Sequence, residues 1–335
     1  MDKVARMLVA GRRRYARAAK SFPLAHALFA LAMFVAVSGK VLAETPDTKL
    51  DFARQFDMGA GRKLFLECRG AAPAGYPGYY GSSDSWTERE PLELSPLAVG
   101  PAVLPGLARE NRVCAYDRPG TLRAMADAPL TDRSTPVAQP RTVRDLVSEL
   151  HGLLSAAQVP TPYVLVGHSL GGLIALLYAR TYSSDVRGIV FVDALSPTLP
   201  IQLGALWPLY LRLLNPPLQD QPVPSLRQPE SERVDIEASI DQVRQALPLP
   251  PMPLAVLTRT EPTQFPPGWS LPAGITGAAI DTAFVNAQRY FVELVQTTPQ
   301  VFATGSGHNI QESQPDLVIN ATRLVIGRAA AASTK

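Results

Sequence analysis

The sequence predicts an α/β fold, in which the strands of one sheet alternate with helices along the chain. Three short apolar runs of strand length lie at residues 163–166, 188–192 and 254–257. Residues 141–157 carry apolar side chains at helical spacing and lead directly into the first of these runs. A chain of 335 residues is long enough for one large α/β domain with an insertion.

The motif at the centre of this pattern is residues 164–172, which read V-L-V-G-H-S-L-G-G. An apolar strand, a tight glycine turn, a serine and a helix form the context that the G-x-S-x-G pattern requires. We expect Ser169 to project from the strand end, with the backbone N–H of Leu170 facing any negative oxygen formed beside it. The alternative is an ordinary strand-to-helix turn.

A serine hydroxyl is a useful nucleophile only beside a base that takes its proton. The chain has four histidines. His26 lies in the N-terminal leader, His151 in the helix before the motif, and His168 is expected to point away from Ser169. His308 remains, in a glycine-rich turn late in the chain, and is predicted to be the base. A surface histidine in a turn is the alternative.

Further segments agree with this interpretation in type and in order. They are residues 66–70, 112–120, 188–193 and 306–310. With the 164–172 motif, they make the chain resemble the α/β-hydrolase superfamily, and within it exported, bacterial-type serine hydrolases of the esterase or lipase kind. The resemblance covers roughly residues 57–327 and implies a mostly parallel central sheet with helices on both faces and a cap insertion.

The resemblance also implies how the chain is divided. Residues 44–195 form the first part of the hydrolase core, residues 196–253 the cap or lid, and residues 254–335 the second part of the core. The cap segment is rich in proline and apolar residues, and an apolar cap favours apolar acyl or alcohol groups.

The resemblance leaves two positions for the carboxylate that orients the histidine. One is the loop after the strand at residues 254–257, where Glu261 lies. The other, used by some lipases, is the end of the preceding strand, where Asp193 lies. Asp193 is favoured because it ends a clear strand next to the nucleophile strand. Both acids remain candidates at this point.

The chain departs from the family at residues 70–78, where the sequence is G-A-A-P-A-G-Y-P-G. The family has its third strand there, whereas this composition is typical of a loop. In the family, the residue after the glycine that ends this stretch supplies the second oxyanion-hole N–H. The glycine is Gly78 in this chain and the residue after it is Tyr79, so the predicted oxyanion hole consists of Leu170 and Tyr79.

Cys68 and Cys114 are the two cysteines of the chain. The resemblance places them on strands two and four, which are neighbours in the sheet of the superfamily. Because an exported chain meets an oxidising compartment, a Cys68–Cys114 disulfide is one prediction. Two buried free thiols are the other.

The N-terminal segment resembles a secretory signal peptide. Residues 1–20 are basic, residues 24–37 are apolar and helix-prone, and Ala43 ends an acceptable cleavage site. The apolar run is shorter than the roughly 20 residues that span a bilayer, so we predict export and cleavage after Ala43, to the periplasm or the medium. An uncleaved N-terminal membrane anchor is the alternative; after cleavage no stable membrane span is expected.

The formal net charge of +3 belongs to this leader. Residues 1–43 hold eight of the 32 Lys/Arg and one of the 29 Asp/Glu residues, so the remainder carries −4. Nucleic-acid binding is therefore not expected. The sequence carries no metal-ligand spacing and no dinucleotide- or phosphate-binding glycine pattern, so neither a metal nor a cofactor is predicted.

The expected function is hydrolysis of a small, apolar ester through an acyl-enzyme, with an amide as the less favoured substrate. Two alternatives stay open. One is a non-hydrolytic enzyme, such as a lyase, that uses the same triad. The other is a non-catalytic binding protein on a hydrolase frame.

Overall fold

The structure, a computed structural model, describes the backbone of residues 31–36 and, in full, residues 51–70, 102–122, 129–221, 223–264 and 271–332. The described strands form one sheet of eight, in the order β2-β3-β4-β1-β5-β6-β7-β8. They are β1 (Leu31–Ala36), β2 (Phe52–Asp57), β3 (Lys63–Arg69), β4 (Val113–Tyr116), β5 (Tyr163–His168), β6 (Val186–Val192), β7 (Leu254–Arg259) and β8 (Gln300–Ala303).

The half of the sheet from β5 to β8 is parallel, with neighbouring strands in register. Every residue of β5 and β7 is buried, which agrees with their almost continuous apolar sequence, because parallel strands are covered on both faces. Since the carboxyl ends of these strands meet at one edge, the residues that follow β5 and β6 become neighbours.

The described helices lie between and after these strands along the chain. They are α1 (Val103–Ala108), α2 (Val143–Ala156), α3 (Leu170–Thr181), α4 (Leu199–Leu203), α5 (Trp207–Leu214), α6 (Ile236–Gln245), α7 (Gly277–Ala287), α8 (Arg289–Glu293), α9 (Ile310–Ser313) and α10 (Pro315–Ala332). No helix in these described ranges is both long and apolar enough to cross a membrane.

The helices pack in groups around the sheet. Helix α3 packs on β5 and against α2 and α6, whereas α10 packs on β6 and β7 and against α1. Helix α2 begins at a capping box in which Thr142 and Asp145 satisfy each other's backbone N–H groups. Its apolar side is buried in the core. This is the predicted α/β-hydrolase fold with a central sheet and flanking helices.

The segment between β6 and β7 occupies the position of the predicted cap. It contains α4, α5, short 3₁₀ turns and α6. Most of its buried apolar side chains join the main core, whereas Val223 and Leu226 belong to a small separate cluster. Asn215 ties the end of α5 to the chain before α6, because its side-chain amide donates to the Val234 carbonyl at 2.8 Å.

β1 corrects the prediction that residues 24–37 form a helix-prone segment, because residues 31–36 are a strand. It lies between β4 and β5 and is antiparallel to both, with Phe34 opposite Cys114 and Leu31 opposite His168. Residues 70–78, where the family has its third strand, have a composition typical of a loop. Six consecutive apolar residues are typical of a central strand.

The other half of the sheet carries the two cysteines. β3 and β4 are antiparallel neighbours, and Cys68 lies directly opposite Cys114. The structure joins these two residues in a disulfide. Both side chains are buried in the main core. Gly70 is followed by the rest of the predicted loop, residues 71–78, which lies outside the described residues.

Candidate active site

Ser169 lies in the sharp turn between β5 and α3. Its backbone has φ +54° and ψ −123°, a strained conformation for a residue with a side chain. The turn is closed by contacts that leave no room for a Cβ: one at Gly167 would overlap the backbone of Gly171, and one at Gly172 would overlap Ala194. The glycines of the motif therefore allow the close packing that places Ser169 at the strand end.

His308 and Asp193 meet at the same edge of the sheet. Asp193 follows β6 directly and is fully buried, and His308 lies on the loop after β8. The Nδ1–H group of His308 donates to Asp193 Oδ2 at 2.6 Å. The structure thus brings Asp193, rather than Glu261, to the histidine. The exposed Glu261 contacts this loop through its backbone, whose N–H donates to the Ser306 carbonyl at 2.9 Å.

The other ring nitrogen of His308 is available as a base. Because Nδ1 carries the proton shared with Asp193, Nε2 of the neutral ring has a free lone pair. Nε2 is buried and has no hydrogen-bond partner among the described residues, Ser169 included. Catalytic hydrogen bonds are often long without substrate and tighten when it binds.

Arg259, the last residue of β7, is a part of the site that the sequence reasoning missed. Its Nη1 donates to Asp193 Oδ2 at 3.0 Å, and its backbone N–H donates to Oδ1 at 3.3 Å. Burial alone would raise the pKa of Asp193, but the Arg259 charge and the His308 hydrogen bond outweigh it and hold that pKa below its usual range. A single charged residue at the end of an otherwise apolar strand was the available signal.

His168 supports the loop that carries His308. Its Nε2–H donates to the backbone carbonyl of His308 at 2.8 Å, and the two imidazole rings lie 4.5 Å apart. Burial, together with the neighbouring His308, lowers the pKa of His168 well below its usual value, so the ring is neutral at pH 7. The prediction that His168 points away from Ser169 did not assign it this contact.

Ser169 opens into a cleft between the core and the cap. The empty space of the cleft, counted out to the solvent at its mouth, is about 540 Å³. Its apolar wall is formed by Leu195, Tyr210, Leu214, Val234, Ile236 and Phe284.

Glu232 adds a carboxylate to this wall, but its charge is already balanced. Arg118 is fully buried and holds Glu232 through two hydrogen bonds, one of them from Nη2 to Oε2 at 2.7 Å. The apolar side chains therefore dominate what the cleft offers to a ligand.

Of the two residues predicted as oxyanion donors, Leu170 lies within the described residues. Leu170 is the first residue of α3, and N–H groups of a first helical turn have no acceptor within the helix. Leu170 also lines the cleft beside Ser169. Tyr79, the second predicted donor, lies outside the described residues.

Sequence comparison identifies the class of protein that this fold and site define. The model of the alpha/beta hydrolase family matches residues 77–321, which is more than half of the chain. The chain belongs to this family, whose fold supports hydrolysis as its general activity.

Curated relatives match only short stretches. An uncharacterized protein of Schizosaccharomyces pombe is 38% identical over 92 residues, which are 28% of this chain and 15% of the relative. "Probable transporter efuK" of Hormonema carpetanum is 29% identical over 120 residues, which are 34% of this chain and 16% of the relative. The chain thus spans about a sixth of the length of these relatives.

Solved structures are similar over most of the chain. A bromoperoxidase from Bacillus anthracis has a TM-score of 0.53 and 16% identity, with 82% of this chain and 100% of that chain covered. A "putative lipase (lip1)" from Acinetobacter baumannii AYE has a TM-score of 0.50 and 15% identity, with 84% of this chain and 92% of that chain covered. At these identities the similarity concerns the fold alone.

Proposed function

We propose that this α/β hydrolase is a serine esterase that cleaves small apolar esters through an acyl-enzyme on Ser169. One observation carries the proposal: His308 is hydrogen-bonded to a buried carboxylate through Nδ1 while its Nε2 is free, at the strand edge where Ser169 lies. A nucleophile, a base and an orienting acid are the three groups that acyl transfer requires.

The mechanism starts with proton transfer from the Ser169 hydroxyl to Nε2 of His308 as Oγ attacks the ester carbonyl. Asp193 stabilises the imidazolium that forms, and the N–H of Leu170, with that of Tyr79 as the expected second donor, holds the oxyanion. The tetrahedral intermediate collapses, and His308 gives its proton to the leaving alcohol. Water, deprotonated by His308, then releases the acid and restores Ser169.

The substrate class follows from the cleft. Its wall is mostly apolar, and its one carboxylate, Glu232, is neutralised by Arg118, so an uncharged and apolar acyl or alcohol group fits best. An ester is favoured over an amide because an alkoxide leaves more easily than an amide nitrogen. We also propose, from the leader alone, that the enzyme works outside the cytoplasm.

The first test is covalent labelling of the full chain with a fluorophosphonate, read by intact mass. We expect one adduct on the native protein and none on Ser169→Ala or His308→Ala, because only an activated serine attacks this probe. A folded native protein that gains no adduct contradicts the proposal and favours a binding protein on a hydrolase frame.

Hydrolysis of p-nitrophenyl esters from acetate to laurate then tests the substrate class. We expect kcat/KM to rise with chain length until the acyl chain fills the cleft, and to be lost in Ser169→Ala. The protein is a lyase instead if it is labelled and hydrolyses no ester or amide, but converts a substrate into the products of an elimination reaction.

A further inference from the structure

We infer that Arg259 is a positioning residue of this site: it holds the carboxylate of Asp193 and thereby orients that group toward His308. The inference rests on the proposed function, because it concerns the same triad. Neither the G-x-S-x-G motif nor the glycine-rich turn of His308 predicts this role for Arg259.

The orientation of Asp193 follows from the register of two strands. In the pairing of β6 with β7, Val192 lies opposite Leu257, so Asp193 comes level with the last two residues of β7, the second of which is Arg259. Asp193 also has φ +40°, and its N–H donates to the Leu257 carbonyl at 2.8 Å. Its carboxylate starts from a constrained backbone next to β7.

Arg259 binds both oxygens of that carboxylate. Its N–H holds Oδ1 at 3.3 Å, and Nη1 holds Oδ2 at 3.0 Å, the oxygen that accepts from His308 at 2.6 Å. A carboxylate held at both oxygens cannot rotate away from the imidazole. Since a general base works only within hydrogen-bonding geometry, this clamp fixes the direction of the Nδ1–H bond and thereby of Nε2.

Arg259 is itself held in place from the opposite side. Its Nη2 donates to Asp281 Oδ1 at 2.7 Å, and the guanidinium lies 4.8 Å from the centre of the Phe284 ring. Asp281 is fixed in turn by the backbone N–H and the hydroxyl of Thr263. The side chains of Arg259 and Asp193 are 2% and 0% exposed, so their contact is shielded from water.

The inference is tested with variants on both sides of the guanidinium. Arg259→Met removes the bond to Asp193 Oδ2, and Asp281→Asn weakens the contact that holds Nη2 from the opposite side. Asp281→Asn should lower kcat by less than Arg259→Met does, because the bond from Nη1 to Asp193 remains.

The clamp predicts an effect on turnover. We expect Arg259→Met to lower kcat about 100-fold, as misplacement of a catalytic group does, with KM nearly unchanged because Arg259 lies behind the triad rather than in the cleft. Arg259→Lys should also lose most of kcat, because one ammonium group cannot bind Asp193 and Asp281 together as the two Nη groups do. A merely structural ion pair would lower stability and leave the kcat of the folded fraction unchanged.

All variants are measured on the full chain with an apolar p-nitrophenyl ester and normalised to the folded fraction, read by urea unfolding. An active native enzyme whose kcat is unchanged in Arg259→Met overturns this inference alone. If Arg259→Met does not fold, an unchanged kcat in Asp281→Asn overturns it. A native protein that neither labels nor hydrolyses esters overturns the proposed function and this inference with it.

Discussion

His168 is the residue whose burial makes stability depend on pH. Its pKa in the folded chain lies well below the ordinary value of 6.5, mainly because burial excludes the charged ring. Below pH 6.5 the unfolded chain therefore binds a proton that the folded chain does not. The stabilisation by neutral His168 is complete above that pH and is lost as the pH falls toward its folded pKa, at up to about 1.4 kcal/mol per pH unit.

We expect His168→Gln to remove this part of the pH dependence. Glutamine does not titrate, and its side-chain amide keeps a donor for the His308 carbonyl. The measurement is the free energy of unfolding in urea at pH 5 and pH 7, where Asp193 is ionised in both the folded and the unfolded chain. The native protein should lose more stability on acidification than the variant; equal losses would contradict a buried, neutral His168.

At the same scale, the residues of the proposed triad that stand in local motifs were easier to single out from the sequence than the residues that contact them. Ser169 and His308 stand in distinctive local motifs, so their residue types and neighbours were enough to single them out. The choice between Asp193 and Glu261 depends on which strand end faces His308, and that is a property of the sheet. Arg259 carried no motif, because its contact with Asp193 arises only where the ends of β6 and β7 meet.

At the scale of elements, β3 and β4 are joined by the Cys68–Cys114 disulfide. The bond closes a long loop, because the two residues are 46 positions apart in the chain. A crosslink of this length restricts the unfolded chain, and its loss typically costs about 2–4 kcal/mol. We expect the double variant Cys68→Ala/Cys114→Ala to lose stability in this range while fluorophosphonate labelling of the folded protein persists.

Urea unfolding of the native and double-variant chains measures this effect, with the native protein in reductant as the matched control. Reduction should destabilise the native chain and leave the variant unchanged. Mass analysis after alkylation of the unreduced native protein should find no reactive thiol. Two alkylated cysteines in the folded protein would contradict the disulfide.

Elements with a strong local pattern were predicted closely. The predicted helix at 141–157 is α2 (Val143–Ala156), and the run at 163–166 lies within β5 (Tyr163–His168), because apolar periodicity and buried runs are local properties. β1 was not predicted as a strand, since its apolar sequence equally suits a leader. It is a strand because it pairs with β4 and β5, and the sequence of residues 31–36 does not by itself show this pairing.

At the scale of the whole molecule, the leader prediction and the sheet concern the same residues. Cleavage after Ala43 would remove β1 (Leu31–Ala36), which pairs with both β4 and β5. These two strands would be left two strand spacings apart, about 9.6 Å, with facing backbone groups unpaired. A central strand is therefore costly to lose, and the sheet of a cleaved chain would need another segment in that position.

Two shortened chains separate these possibilities. A chain that begins at Ser21 keeps β1 and should unfold at the same urea concentration as the full chain. A chain that begins at Glu44 lacks it, and we expect a much lower midpoint and weaker fluorophosphonate labelling, because β5 carries Ser169 at its end. If the chain from Glu44 matches the chain from Ser21 in both measurements, β1 is dispensable, and residues 1–43 then act only as the cleavable leader that their sequence predicts.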